Sequence, residues 1–395
     1  MDATPAGLLF TAFERSGDEH AAPVIARLRS LHPELPIYAL GGMRMQAAGA
    51  TLLDLSPQHG TMLLDALGQV QTHLKRLSNL KKWLTEHRIR ALIPVDSPAA
   101  NWSICSLVRK TQPQAKIIHL VAPQLWAWAP WRVRKMRRLS DHALCLLPFE
   151  PAWFAQHGIQ ATFVGHPVFD AENEQRRIDA AHATTLPQAP MKLALLPGSR
   201  ISEIKSNWPT MLAVLRELEK HHGTGNVCAA VGAADAHIAD MIRTSLIPVP
   251  NESTPSSSLI VKVDATDEVL DWADVALLTS GTVSLHAAAH RKPMVILYNL
   301  NRLTWMLVGQ FLMQTKTFTL PNLISEGQGL GRVVREFVPH FGEVPPLLEA
   351  VQTLLTDPAA RVQQQTGITR IMQVFEGMSF ADQAAGKIME LIGRP

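Results

Sequence analysis

The sequence predicts an α/β protein built from two doubly wound, Rossmann-like domains with a helical C-terminus. Short apolar runs recur along the chain, and helical periods of hydrophobicity separate most of them. Turns rich in Gly, Pro and Ser follow the runs. The runs are apolar throughout rather than alternating, which is typical of parallel strands covered by helices on both faces. Ten such strands are too many for one compact Rossmann unit, so we expect two units.

The predicted strands form two groups of five. Those in the first half of the chain are Leu8–Ala12, Ile37–Leu40, Ala91–Val95, Lys116–Val121 and Ala143–Leu147. Those in the second half are Leu193–Leu196, Val227–Val231, Leu259–Val263, Val275–Leu278 and Met294–Tyr298.

A change in composition separates the two groups. The segment Asp170–Arg177 is polar, and Leu186–Pro190 has the composition of a linker. After Pro345 the pattern is helical to the end. The predicted organisation is therefore an N-terminal domain over 1–167, a linker over 168–190, a C-terminal domain over 191–345 and C-terminal helices over 346–395.

Composition excludes several classes of protein. The chain has 395 residues, of which 47% are hydrophobic and 18% charged, so general disorder is excluded. A net charge of +3 is small for a protein that coats nucleic acid. Three widely spaced cysteines exclude a disulfide scaffold and a cysteine-based zinc site. With no long apolar span and no basic N-terminal region, we expect a cytoplasmic protein that can still contact a membrane surface.

Two turns in the second half predict a binding site for a diphosphate. One is Pro197-Gly198-Ser199-Arg200, and the other is Thr279-Ser280-Gly281-Thr282; each directly follows a predicted strand. Glycine permits close approach of a phosphate, N–H groups at a helix N-terminus attract anions, and arginine is a two-pronged donor. Each turn alone has a plainer interpretation, as a tight turn with a solvated arginine or an ordinary helix cap. Both follow strands, where doubly wound sheets bind their ligands, and neither is a Walker A loop.

Three acids in the first half are candidates for general acid or base catalysis. Glu14 and Asp18 follow the first predicted strand, and Asp96 ends the third. The carboxyl ends of parallel strands meet at one edge, so these carboxylates are expected to converge there. The alternative for each is a helix cap or a solvated loop acid.

A tryptophan-rich loop precedes a basic helix. The loop contains Trp126 and Trp128, and residues 132–138 carry five arginines and lysines. Indole rings beside cations suit a membrane interface or an amphiphilic ligand. The alternative is core tryptophans beside a solvated basic face.

A second candidate membrane contact is the segment Met62–Leu84. Apolar residues at helical spacing, among them Leu64, Leu67 and Val70, alternate with lysines and arginine. Such a basic amphipathic helix can lie on an anionic membrane. The alternative is a helix packed on the sheet.

Taken in order, these segments resemble the lipid-A-disaccharide synthase family. The matching motifs are collinear over most of the chain: Glu14-x-Ser-Gly-Asp18, Gly41–Gly49, Asp96-x-Pro98-x-x-Asn101, Pro123-x-x-Trp-Ala-Trp128, Leu147–Glu150, Gly165–Pro167, Leu195–Arg200 with Glu203, Ser280–Thr282 and Leu320–Ile324. Any one of these motifs is weak evidence, but the ordered set is specific.

The resemblance implies a GT-B glycosyltransferase that needs neither metal nor cofactor. The family joins UDP-2,3-diacylglucosamine to 2,3-diacylglucosamine 1-phosphate, releases UDP and forms a β-1,6 disaccharide with inversion. Its members act in lipid A, and hence lipopolysaccharide, biosynthesis, as peripheral proteins on the cytoplasmic face of the inner membrane. A homodimer is one expected assembly.

The resemblance also implies roles for individual residues. Asp96 matches the family's catalytic aspartate and is expected to take the proton of the acceptor hydroxyl. On the UDP side the expected contacts are Gly198, Ser199, Arg200, Ser280, Gly281, Thr282, His286, Asn322 and Glu336. His286 is expected to accept a hydrogen bond from the ribose; the alternative is that it faces the helix packing and touches no ligand.

The chain departs from the family pattern within these motifs. The departures are Phe13 and Arg15 in the first loop, Ala99 and Ala100 after Asp96, His286 in place of a glutamate, and Pro339 in place of a glutamine. Two alternatives therefore stay open. One is a GT-B enzyme with another UDP-sugar or lipid acceptor, and the other is a catalytically silent homologue that binds nucleotide-sugar or lipid.

Overall fold

The computed structural model describes residues 6–55, 66–127, 130–170, 175, 184–246, 259–302, 305–306 and 315–393, without the side chains of 54–55, 66–75 and 98. The chain divides into two compact units. The first consists of Met1–Pro167 together with Gly377–Pro395, and the second of Val168–Glu376.

The first unit is a parallel sheet with helices on both faces. Its strands are β1 (Gly7–Thr11), β2 (Ile37–Gly41), β3 (Thr51–Leu55), β4 (Ile89–Pro94), β5 (Lys116–Leu120), β6 (His142–Cys145) and β7 (Ala161–Phe163). They lie in the order β3-β2-β1-β4-β5-β6-β7. The helices are α1 (Arg15–Leu31), α2 (Met43–Ala47), α3 (Ala66–Glu86), α4 (Pro98–Thr111), α5 (Val133–Leu139) and α6 (Glu150–Gln156).

The second unit repeats this architecture. Its strands are β8 (Met191–Leu196), β9 (Val227–Ala233), β10 (Leu259–Val263), β11 (Val275–Thr279), β12 (Met294–Asn299) and β13 (Arg335–His340), in the order β10-β9-β8-β11-β12-β13. Its helices are α7 (Ile201–His222), α8 (Ala236–Ser245), α9 (Thr266–Trp272), α10 (Val283–Ala289), α11 (Leu320–Gly327), α12 (Pro345–Thr356) and α13 (Pro358–Met372).

Alternate residues of the central strands supply two different cores. In β1, Leu8 and Phe10 belong to one hydrophobic cluster and Leu9 to another, on the opposite face. The helix α1 contributes Val24, Ile25 and Leu28 to the first cluster, at the spacing of one helical face. This burial on both faces explains why the strand sequences are apolar throughout.

All ten predicted strands are confirmed, and the described residues contain three more. These are β3, β7 and β13, which are all edge strands. An edge strand has a less apolar environment and tolerates proline and charge. For example, β13 reads Arg-Glu-Phe-Val-Pro-His. Its sequence therefore lacks the apolar run that marks a central strand.

The last helix, α14 (Phe380–Ile392), belongs to the first unit. Phe380, Ala384 and Ile388 are buried in the same cluster as α1. The guanidinium of Arg90 donates to the carbonyls of Ile392 and Gly393 at 3.1 and 2.8 Å. The helical C-terminus is thus confirmed, and its final helix completes the core of the N-terminal sheet.

The described part of the amphipathic segment packs on the sheet. In α3, Leu80 and Leu84 are each 4% exposed and belong to the hydrophobic cluster of Leu9. The side chains of Leu67 and Val70, and Leu64 altogether, lie outside the described residues. Among the described residues, no helix combines the length and apolar character needed to cross a membrane.

Candidate functional site

The turn after β8 is held by an internal carboxylate. Glu203, in the first turn of α7 and 8% exposed, accepts the N–H groups of Ser199 and Arg200 at 3.1 and 3.3 Å. The sequence predicted these N–H groups to be open to a ligand, but in this structure Glu203 occupies them. Glu203 also accepts from Nη1 of Arg200 at 2.7 Å. The Arg200 side chain is 75% exposed, so the rest of its guanidinium faces solvent.

Gly198 is required by this arrangement. Its φ of +120° favours glycine, and a Cβ would lie 2.5 Å from Oε2 of Glu203. Any side chain at this position would displace the carboxylate that organises the turn.

The turn after β11 presents unoccupied donors. Gly281 has φ +146°, and no heavy atom lies within 4 Å of where its Cβ would be. Within the described chain, the N–H groups of Gly281 and Thr282 have no hydrogen-bond partner. The hydroxyl of Ser280 instead donates to the carbonyl of Phe318 at 2.8 Å. This turn therefore offers backbone donors, rather than the Ser280 hydroxyl, to an anion.

Asn322 and Glu336 belong to the hydrogen-bond network that supports the turn after β11. Asn322, fully buried, donates to the Val334 carbonyl and to Glu336, and accepts the N–H groups of Val333 and Val334. Glu336 accepts the N–H of Phe318, and the carbonyl of Phe318 accepts the hydroxyl of Ser280. Both side chains, expected from the resemblance to contact UDP, have internal partners here.

His286 lies on α10, beside an acid that the sequence did not indicate. Its Nδ1 is 3.6 Å from Oδ1 of Asp267, and Nε2 of His290 is 3.0 Å from the same oxygen. Burial raises the pKa of Asp267, but the two histidines outweigh it and hold that pKa below its usual value. A carboxylate is thus present next to the position where the family pattern has a glutamate. Asp267 is 19 residues away in sequence, so local spacing gave no signal for it.

In the first unit, Asp96 lies at the carboxyl end of β4 in a strained conformation. Asp96 and Ser97 have φ values of 45° and 32°, in the left-handed region. Asn101 stabilises this loop because its amide donates to the carbonyls of Val95 and Asp96 at 3.2 and 3.0 Å. Thr11, at the end of β1, donates to Asn101 at 2.6 Å. The loop that carries Asp96 is therefore tied to the neighbouring strand.

Two titratable groups act on Asp96 in opposite directions. Burial raises the pKa of Asp96, and the charge of Glu14 adds to this effect. The N–H of Ser97 and the side chain of His20 lower that pKa. Glu14 also accepts the hydroxyl of Ser97 at 2.8 Å, so Glu14 and Asp96 do converge at this edge. His20 was not among the sequence candidates, and its interaction with Asp96 arises from the packing of α1 against β4.

The carboxylate of Asp18 stabilises the start of α2. One carboxylate oxygen accepts the N–H groups of Gly42 and Met45, and the other accepts that of Arg44, all at 3.1 Å. The side chain thereby caps α2 and is 9% exposed. The sequence placed Asp18 among the catalytic candidates, whereas its oxygens here hold the Gly41–Gly49 loop.

Trp126 is buried, with its indole N–H donated to Glu150 at 3.0 Å. Glu150 also accepts the N–H of Leu147 at 3.0 Å. Burial raises the pKa of Glu150 to about 7, although these hydrogen bonds oppose the shift. Trp128 lies outside the described residues. On the neighbouring basic helix, Nζ of Lys135 is 4.6 Å from the centre of the Trp102 ring.

In the described ranges, no cluster of three or more His, Cys, Asp or Glu side chains could hold a metal ion.

Comparisons with known proteins identify the family of this chain. The lipid-A-disaccharide synthetase family profile matches residues 8–385. A lipid-A-disaccharide synthase from Burkholderia lata is 34% identical over 364 residues, covering 90% of this chain and 88% of that protein. Another, from Acidobacterium capsulatum, is 29% identical over 381 residues, with 94% and 92% covered.

Solved structures share the fold. The glycotransferase of kitacinnamycin has a TM-score of 0.58 at 15% identity, covering 98% of this chain and 99% of its own. The UDP-GlcNAc 2-epimerase from Neisseria meningitidis, bound to UDP-GlcNAc, has a TM-score of 0.58 at 12% identity, with 97% and 98% covered. The GT-B fold class expected from the resemblance is confirmed. With the family profile matched over nearly the whole chain, this protein is a glycosyltransferase that belongs to the lipid-A-disaccharide synthase family.

Proposed function

We propose that this chain is an active lipid-A-disaccharide synthase. It transfers 2,3-diacylglucosamine from UDP to the 6-hydroxyl of 2,3-diacylglucosamine 1-phosphate. The observation that carries the proposal is the family match over residues 8–385.

The UDP group is proposed to bind at the carboxyl edge of the second sheet. The open N–H groups of Gly281 and Thr282 and the exposed guanidinium of Arg200 offer donors to a diphosphate. As the bond between the sugar and UDP breaks, negative charge grows on the leaving phosphate, and these donors stabilise it. The similarly folded epimerase from Neisseria meningitidis was solved with UDP-GlcNAc, which supports a UDP-sugar as the ligand class.

Asp96 is the proposed general base. The acceptor hydroxyl attacks the anomeric carbon, its proton passes to Asp96, and the sugar–UDP bond breaks on the opposite side with inversion. A carboxylate whose pKa is raised by burial and by Glu14 is a stronger base than a solvated one. In this proposal Glu14 supports the Asp96 loop through Ser97, and Asp18 holds the Gly41–Gly49 loop.

His286 is the proposed ribose contact. An ionised Asp267 accepts hydrogen bonds only, so it favours a proton on Nδ1 of His286. That leaves Nε2 of the neutral ring as an acceptor for a ribose hydroxyl.

A peripheral location on the cytoplasmic face of the inner membrane is part of this proposal, because the proposed substrates carry acyl chains. The basic helix α5 beside Trp102 supports this location, because a membrane rich in anionic lipid attracts such a surface. Co-sedimentation with anionic vesicles that weakens as salt rises is the matching test. A homodimer is proposed from the family alone.

The decisive experiment incubates the purified protein with both lipid substrates and measures UDP release and disaccharide by mass spectrometry. The protein is expected to form both products. Asp96→Asn is expected to lose about 10²–10⁴-fold in rate with UDP affinity retained. UDP binding without disaccharide would instead favour the alternatives, an enzyme with another acceptor or a silent homologue. An Asp96→Asn variant within a few-fold of wild type would remove Asp96 from the mechanism.

A further inference from the structure

A single buried amide joins the carboxyl ends of three adjacent strands in the second unit. Asn207, on α7 and 1% exposed, donates from Nδ2 to the Pro197 carbonyl at 3.3 Å and to the Thr279 hydroxyl at 3.1 Å. Its Oδ1 accepts the N–H of Asn299 at 2.8 Å. These partners follow β8, end β11 and end β12, respectively.

Two of these partners lie at the start of the turns proposed to bind phosphate. Pro197 immediately precedes Gly198, and Thr279 immediately precedes Ser280, so both proposed phosphate-binding turns begin at a residue bonded to Asn207. The β8–β11 ladder itself ends at the pair Leu196 and Leu278. Beyond that pair, Asn207 provides a side-chain connection between the two turns.

Asn207 is itself held rigidly. Asn299 donates from Nδ2 to the Ser206 carbonyl at 2.7 Å and to the Thr210 hydroxyl at 2.8 Å. Oδ1 of Asn299 is 2.6 Å from Nδ1 of His340, at the end of β13. A buried polar network of this kind is satisfied only in one geometry, so it fixes the relative positions of its members.

We propose that Asn207 is a positioning residue that holds the two turns at the separation a nucleoside diphosphate requires. The inference rests on the proposed function, because it takes the two turns as the diphosphate site. Asn207 acts through the backbone of both turns. A ligand with two phosphates depends on their separation, whereas a ligand with one phosphate can be held by one turn.

The test compares UDP and UMP affinities by calorimetry in three proteins: wild type, Asn207→Leu and the matched control Gln364→Leu. Gln364 is also a buried amide of this unit, with hydrogen bonds to the N–H and carbonyl of Met294. Met294 begins β12, so the control removes an amide at the opposite edge of the sheet. Asn207→Asp is a second variant, because it keeps the acceptor for the Asn299 N–H but loses the donor to Pro197 and Thr279.

Asn207→Leu is expected to lower the affinity for UDP about tenfold or more and the affinity for UMP less than about threefold. The loss of one charged phosphate contact lowers affinity by about tenfold or more. Gln364→Leu is expected to leave the UDP/UMP affinity ratio unchanged, whatever its melting temperature. If Asn207→Leu does not fold, Asn207→Asp is expected to show the same selective loss. An unchanged ratio in a folded Asn207 variant overturns the positioning role alone. Failure of the wild type to bind UDP overturns this role together with the proposed function.

Discussion

At the residue scale, Arg200 is the most exposed charge on the proposed diphosphate site. Its guanidinium is tied to Glu203 on one side only and is otherwise solvated. We expect Arg200→Ala to weaken UDP about 10–100-fold and to slow turnover, because the ground state and the leaving group lose the same donor. Calorimetry and steady-state kinetics measure the two effects. Arg243→Ala, which breaks a comparable i,i+3 pair with Asp240, is the control; equal UDP affinities in the two variants would contradict the role.

Asp96 gives a second prediction, because its two charged neighbours act with opposite signs. The proposed role of Asp96 as general base requires the ionised carboxylate, so a higher pKa of Asp96 is expected to move the acid limb of the pH–rate profile to higher pH. Removing the charge of Glu14 by Glu14→Gln is expected to move that limb to lower pH. His20→Leu is expected to move it to higher pH, since His20 lowers the pKa of Asp96.

The pH dependence of kcat/KM in the wild type and both variants measures these two opposite shifts. Carbon NMR of the labelled Asp96 carboxyl provides a readout that does not depend on activity. Movement of both limbs in the same direction would show that the substitutions act through the fold rather than through charge.

At the element scale, the loop that contains Trp126 is expected to depend on the protonation of Glu150, at the start of α6, because Glu150 accepts the indole N–H of Trp126. The pKa of Glu150 in the folded state is about 7, above its ordinary value of 4.5. Its contribution to stability is therefore complete below pH 4.5 and is lost as pH rises through 7, up to about 3 kcal/mol. Hydrogen-exchange protection of β6 and α6 is expected to fall between pH 5 and 8. Glu150→Gln is expected to flatten that dependence; a wild type with no such fall would contradict it.

The strand β5 is expected to respond to pH in the opposite direction. His119 is fully buried, and in the described residues neither ring nitrogen has a hydrogen-bond partner. Burial lowers the pKa of His119 to about 4 from 6.5. Stability from the neutral ring is complete above pH 6.5 and is lost as pH falls towards 4, by about 3 kcal/mol.

Urea unfolding of the first unit at pH 7 and pH 4.5 measures this effect. His119→Leu, which fills the apolar site without a titratable group, is expected to lose less stability on acidification than the wild type. An equal loss in both proteins would assign the acid sensitivity to other groups.

At the scale of the whole molecule, the C-terminal helices pack in different units. Phe380 on α14 is buried with the core of the first unit, whereas Ile371 on α13 is buried in the second. We expect Phe380→Ala to cost about 3–5 kcal/mol and to reduce hydrogen-exchange protection of β1 and β4, with β11 unaffected. Ile371→Ala is the reciprocal control and should affect the second unit. Loss of protection in both units from either variant would show that they unfold together.

The sequence by itself determined the fold class, the nine interior strands of the two sheets together with the edge strand β10, and the places where polar turns follow them. Continuous apolar runs record burial on both faces, and this property is local to each strand. The edge strands β3, β7 and β13 were missed, unlike the edge strand β10, because an edge strand tolerates a short sequence or one with charge and proline, which leaves no long apolar run. The motifs also placed Asp96 and the two turns at strand ends without any coordinates.

Only the tertiary structure decided which side chains these residues meet. Asp18 is 24 residues from Gly42, and Asn207 is 72 residues from Thr279, and each pair forms a hydrogen bond that no local spacing predicts. Glu203 accepts N–H groups that the sequence predicted to be open to a ligand. His20 acts on Asp96 and Asp267 lies beside His286, and the sequence indicated neither of these neighbours. The physical reason is that strand order and helix packing set these contacts. A hydrophobic pattern reports whether a position is buried, but not which distant polar group shares its surroundings.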